Sequence, residues 1–140
     1  MATATALTVG YQDRTLEDLV GLLARNGVAA VVDVRLHAVS RWRGFSRAAL
    51  SAALVAAGII YVHERSLGNP RENRPGYRKR REEAIRVYAE HLDEHGGPAL
   101  DRVRSLQASG PVALLCYESD PATCHRTAVA ERLGTSTLNL

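Results

Sequence analysis

Apolar positions along this chain fall into two alternating patterns. Ala6 to Gly10, Val28 to Val34, Ile59 to His63 and Val112 to Cys116 are near-continuous apolar runs of strand length, as strands buried on both faces of a parallel sheet require. Between them the spacing changes to three and four. Leu16, Leu19, Val20, Leu22 and Leu23 predict a helix over 15–26, capped by Thr15 with Asp18 three residues on and closed by Asn26-Gly27. Ser46 caps a second predicted helix that runs through Leu50, Ala53 and Leu54 to Gly58. A third runs from Lys79 to about His95 with Ala84, Val87, Tyr88 and Leu92 inward, and a short fourth spans 99–108. The last is opened by Asp120 as N-cap and Pro121 at the first helical position, and continues to Gly134. Ser136 to Leu140 adds an edge strand. Glu64 to Arg78, rich in Gly, Pro, Asn and Arg, predicts a long surface loop of the kind that serves as a lid or mobile segment.

Strands alternating with helices imply a single-domain, three-layer α/β sandwich over 1–140, with right-handed crossovers and a mostly parallel sheet of four to five strands. A chain of 140 residues buries roughly two-thirds of its unfolded surface, enough for one core. Ligands of open α/β sheets sit at the strand carboxyl ends. Tyr11, Asp33, Arg35, His37, His63, Glu64, Cys116 and Glu118 fall there, and the last helix is expected to add Cys124, His125 and Arg126 from its first turns.

Composition narrows the setting. The net charge is +3, and Lys79 is the single lysine among the 18 basic residues, a bias that fits bidentate anion recognition or a GC-rich coding sequence. No apolar run approaches the ~18 residues of a membrane span, and Met1 to Leu7 lacks the pattern of a leader peptide. A cytoplasmic protein is expected, with no membrane partner. In that compartment two cysteines are expected as free thiols or metal ligands rather than a structural disulfide.

Cys124 beside His125 and Arg126 has the surroundings that stabilise a thiolate, whereas Cys116 also suits a small apolar core position. Cys116, Glu118, Cys124, His125, His63 and His37 include enough ligand types for zinc or iron, without the tight spacing of a metal motif. Asp33 and Arg35 can pair with each other or with substrate, and His63 at the rim is a general acid or base candidate. Tyr61 is read as packing. His91 and His95, four apart on a helix, are read as solvent-facing. A strand ending in cysteine, a loop, then Arg126-Thr127 opening a helix is similar to the anion-cradling loops of rhodaneses and cysteine phosphatases, although no glycine lies between Cys116 and Arg126.

Taken together, Thr8-Val9-Gly10-Tyr11 with Thr15-Leu16-Glu17, Val32-Asp33-Val34-Arg35, Gly44-Phe45-Ser46, Gly58 to His63 with Leu67-Gly68, Leu115-Cys116-Tyr117-Glu118 and Cys124-His125-Arg126 resemble the bacterial family called domain of unknown function 488. The resemblance covers nearly the whole chain. It departs at Ala38, where the family usually carries proline, and at Asn69, where a second glycine often follows Leu67-Gly68. It implies a small cytosolic α/β domain whose site is assembled from these motifs.

The leading expectation is a transferase or hydrolase acting on an anionic substrate such as a nucleotide or modified base. Arg35 and Arg126, with Tyr11 and Asp33, would bind it; Cys116 or Cys124 would be nucleophile or ligand; Glu118, His63 or His125 would move protons. The reaction class follows from the lack of a G-x-G-x-x-G after the first strand; the cofactor is left open. A second reading is a nucleic-acid-binding module, with Arg71, Arg74, Arg78, Lys79, Arg80 and Arg81 on phosphates and Trp42 or Tyr77 stacking. A third is a zinc or iron enzyme with Cys, His and Glu ligands.

Overall fold

A computed structural model describes residues 5–140, so the first four residues of the Met1–Leu7 segment lie outside the described residues. The elements are β1 (Thr5–Gly10), α1 (Leu16–Arg25), β2 (Ala30–Asp33), α2 (Arg47–Ala56), β3 (Ile60–His63), α3 (Arg74–Arg78), α4 (Glu82–His91), α5 (Gly97–Ser109), β4 (Val112–Cys116), α6 (Arg126–Leu133) and β5 (Ser136–Asn139). The strands form one sheet in the order β3-β2-β4-β1-β5, and every pairing is parallel. The expected α/β sandwich is therefore present, with five strands.

Strand periodicity sorts the core into two layers. On β4, Val112, Leu114 and Cys116 face the layer that holds Tyr88, Leu92, Leu100 and Val129. Ala113 and Leu115 face the opposite layer, with Leu19 and Leu23 of α1 and Leu50 and Leu54 of α2. Each fully buried leucine contributes roughly 1.5–3 kcal/mol, and the sheet is held between two such surfaces. The Thr15 cap forms as its sequence predicts, accepting from the Asp18 N–H at 3.1 Å. Ser46 does not cap α2; its Oγ accepts from Ser40 N–H at 3.0 Å and donates to Ser40 O, which pins the connection between β2 and α2.

Four local expectations are corrected. The 64–78 segment is not an unstructured loop: it holds single turns at Arg65–Leu67 and Arg71–Asn73, then α3. Leu67 and Tyr77 are buried, and the Tyr88 hydroxyl donates to Leu67 O at 2.6 Å, so packing supplies the order that local propensity does not. Next, α4 begins at Glu82 rather than Lys79 because Arg80 adopts a left-handed conformation, φ 57°. Its first turn then carries Glu82 and Glu83 instead of the basic cluster, the arrangement the helix dipole favours. Helix α5 likewise begins earlier than read, at Gly97 with Pro98 in its first turn.

The fourth correction reaches the site. Asp120 caps a single turn, Pro121–Thr123, through Ala122 N–H at 2.9 Å, and the chain then leaves the helix: Cys124 is extended, with φ −110° and ψ 143°. Helix α6 starts only at Arg126. Cys124 and His125 thus precede the helix, and the extended residue turns the Cys124 side chain back toward the end of β4.

Candidate functional site

A cleft of about 660 Å³ opens at the carboxyl ends of the strands. Its floor is Tyr11, Arg35, Cys116, Glu118 and His125. One wall comes from the connection after β2 and carries His37, Arg41 and Trp42; the other comes from the 69–78 segment and carries Asn69, Arg71, Arg74, Tyr77 and Arg78. Asp33, His63, Glu64, Cys124 and Arg126 do not line it. Glycine lets the backbone segments meet here: a Cβ on Gly68 would fall 2.5 Å from Leu36 N, and one on Gly10 would fall 2.5 Å from the carbonyl carbon of Glu118.

At the end of β4 the two cysteines come together. The structure joins Cys116 and Cys124 as a disulfide, whereas free thiols or metal ligands were expected, and both residues are buried. His125 stands beside them, its Nδ1 3.8 Å from Cys124 Sγ. Its Nε2 lies 2.7 Å from Val34 O; a carbonyl can only accept, so Nε2 carries the proton and Nδ1 presents a lone pair to the sulfurs. Burial pushes the imidazolium below its usual pKa, so the ring is neutral near physiological pH. Glu118 lies on the cleft side, with Oε2 3.5 Å from Cys116 Sγ and Oε1 accepting from Arg78 Nε at 3.2 Å.

Arg126 is wholly buried beneath this centre and does not reach the cleft. Its Nη1 donates to Cys116 Sγ at 3.3 Å and to Glu118 O at 2.5 Å, Nη2 donates to Ser119 O, and Nε has no partner. Burial lowers its pKa to about 10. Among the described residues no carboxylate stands within ion-pair distance of it, and the more distant charges of Glu118 and Asp120 offset the lowering only in part. The expectation that Arg126 contacts substrate is corrected: it positions the loop and the sulfur. The anion-cradle analogy fails for the same reason, because the loop turns carbonyls inward onto Arg126.

The Asp33–Arg35 pair is also closed on itself. Arg35 Nε and Nη2 donate to Asp33 at 2.8 and 2.6 Å, and Nη1 donates to Tyr11 OH and Phe45 O. Burial alone would lower the Arg35 pKa, but the hydrogen bond and charge of Asp33 hold it above its usual value. Tyr61, read from sequence as packing, donates to Asp33 Oδ2 at 2.6 Å; burial and that bond hold its phenol protonated. His63 Nε2 lies against Arg35 O at 2.7 Å, outside the cleft. Glu64 pairs with Arg102. His91 is not simply solvent-facing, since its ring stacks on Tyr88 and its Nε2 meets Ser66 O.

Besides Arg35, the cations that line the cleft are Arg41, Arg71, Arg74 and Arg78, of which Arg78 is paired with Glu118. Helical spacing in α3 places Arg74 and Arg78 on one face. Burial, then the neighbouring Arg78 charge, lowers the Arg74 pKa, with Glu118 acting against them. Arg74 donates through Nε to Asn69 O at 3.2 Å. Lys79, Arg80 and Arg81 do not line the cleft. The sequence reading missed Asn69 as a lining residue. Its departure from a second glycine was the available signal: buried Asn69 accepts from Asn73 and fixes the turn that aims Arg74.

Among the described residues, no helix is long and apolar enough to cross a membrane. Comparison with curated proteins and with solved structures gives no match for this chain. The family model described as Domain of unknown function DUF488 matches residues 15–133, the span that carries the cleft walls, both cysteines and His125, and the chain belongs to that family.

Proposed function

We propose that this protein is an enzyme, a transferase or hydrolase, that binds an anionic small molecule in the cleft and reacts it at the Cys116 centre. One observation carries the reading: Arg71, Arg74 and Arg78 share a single cavity with Cys116, Glu118 and His125. The arginines hold a phosphate or carboxylate through bidentate bonds, and Trp42, exposed at the opposite wall, offers a face for a planar base. Cys116 acts as a thiolate once a cellular thiol has reduced the pair, with Arg126 stabilising its charge and Glu118 or His125 exchanging the proton. The setting is cytoplasmic, where thiols are kept reduced.

The test is equilibrium binding to the reduced protein of a nucleoside monophosphate, the same nucleoside without phosphate, and a single-stranded oligonucleotide. Phosphate-dependent binding weakened about tenfold or more by Arg74→Ala supports the reading, since one charge-assisted bond is worth roughly 1.5–3 kcal/mol. Binding confined to the oligonucleotide, with a steep salt dependence and no loss in Arg74→Ala, replaces it with a nucleic-acid-binding module.

A further inference from the structure

We infer that the reduced Cys116–Cys124–His125 cluster is a binding site for a soft divalent cation, zinc by its ligand chemistry, with three protein ligands and a fourth position open to the cleft. The two sulfurs and a ring nitrogen of His125 all lie within 4.8 Å of one another, and thiolate with imidazole is the donor set zinc prefers. Three further features fit a metal site. The Val34 carbonyl fixes the His125 tautomer by accepting from Nε2, the outer contact that metal-bound histidines characteristically make. Arg126 donates to Cys116 Sγ, as outer donors do to a metal-bound thiolate. The sides also differ, for Cys116 and His125 line the cleft while Cys124 lies behind them. Glu118 falls outside the ligand cluster and borders it from the cleft, with Oε2 3.5 Å from Cys116 Sγ.

Loading requires reduction of the pair. A dithiol gives two electrons and two protons to the Cys116–Cys124 bond and becomes a cyclic disulfide; each new thiol loses its proton to solvent as it ligates. Two thiolates then balance one divalent ion. The inference rests on the proposed function only for the role of the ion, and its test is independent of any substrate.

The experiment is titration of the dithiothreitol-reduced, desalted protein with Co²⁺ under nitrogen, followed by Zn²⁺. The expected result is a near-ultraviolet thiolate-to-cobalt band that saturates at one equivalent per chain and is abolished by zinc. Cys124→Ser, which preserves side-chain shape, is expected to lose the band, and His125→Gln to weaken binding at least about tenfold. Absence of the band in the wild-type protein overturns the inference, as does a band unchanged in Cys124→Ser; because the wild-type titration decides alone, a variant that fails to fold does not rescue it. Nucleotide binding without a cobalt band refutes the metal site and leaves the cleft reading intact. A cobalt band without anion binding does the reverse.

Discussion

Asp33→Asn is the sharpest probe of how this site is built. Asp33 is wholly buried and accepts four bonds, from the Arg35 N–H at 3.1 Å, Arg35 Nε at 2.8 Å, Arg35 Nη2 at 2.6 Å and Tyr61 OH at 2.6 Å. The amide keeps the shape but offers only one oxygen, turns an NH₂ toward donors, and leaves the Arg35 charge buried without its counter-ion. Removing one partner of a buried pair costs about 3–5 kcal/mol. The four bonds act as a unit and are not summed. A chain of this length has a total stability on the order of 7–15 kcal/mol, so the variant is expected to fold but to lose roughly 6–20 °C in melting temperature. Urea unfolding followed by circular dichroism measures the loss. The Asp33→Leu/Arg35→Met double variant, which removes both charges, is expected to recover most of it. A cost below about 1 kcal/mol, the range of an exposed pair, would falsify the view that this ion pair is a structural support of the cleft floor.

The other predictions concern the same framework. Burial raises the pKa of Tyr61, Tyr77 and Tyr88, with Asp33 adding to the shift at Tyr61; the unfolded chain then releases these protons first, so stability is full below about pH 10 and falls as pH rises above it. Spectrophotometric titration is expected to show Tyr61, Tyr77 and Tyr88 ionising only above the usual tyrosine range, and ionisation of all three near pH 10 would contradict the burial argument. Tyr88→Phe leaves Leu67 O unpaired and is expected to cost about 1–3 kcal/mol by denaturant unfolding, with little change in the far-ultraviolet spectrum. Gly10→Ala drives a methyl group into the Glu118 carbonyl and is expected to cost at least about 1–3 kcal/mol and to weaken anion binding. Wild-type affinity in that variant would show that the loop is free to move.

Much of this architecture was legible because it depends on periodicity. Continuous apolar runs placed Val31 and Leu114 in a doubly covered sheet, and the Thr15–Asp18 pair marked the start of α1. What failed depended on contacts distant in sequence. Arg74-Pro75-Gly76-Tyr77-Arg78 has poor helix propensity, and α3 is held by the packing of Tyr77 on Tyr88, centroids 5.6 Å apart, and by the bonds of Arg74 to Asn69 and Arg78 to Glu118. The rim position of Arg35 and Arg126 was correct, but spacing cannot say whether a rim side chain faces solvent or folds under its own loop. Asp33, Phe45 O, Glu118 O and Ser119 O decided that. The approach of Cys124 to Cys116 was hidden by a good helix-start signal, Asp120-Pro121, that is spent on a single turn.

The sheet order has a consequence for assembly. β4 lies between β1 and β2, so two strands made within the first 33 residues stay unjoined until residues 112–116 slot between them. As the chain grows from its amino end, β2 and β3 can pair, but β1 has no neighbour until the last third of the protein emerges. Long-range insertion of this kind slows folding and also orders it in time. The strand that joins β1 to β2 is the one that carries Cys116, so its sulfur takes its place in the same event that unites the two halves of the sheet.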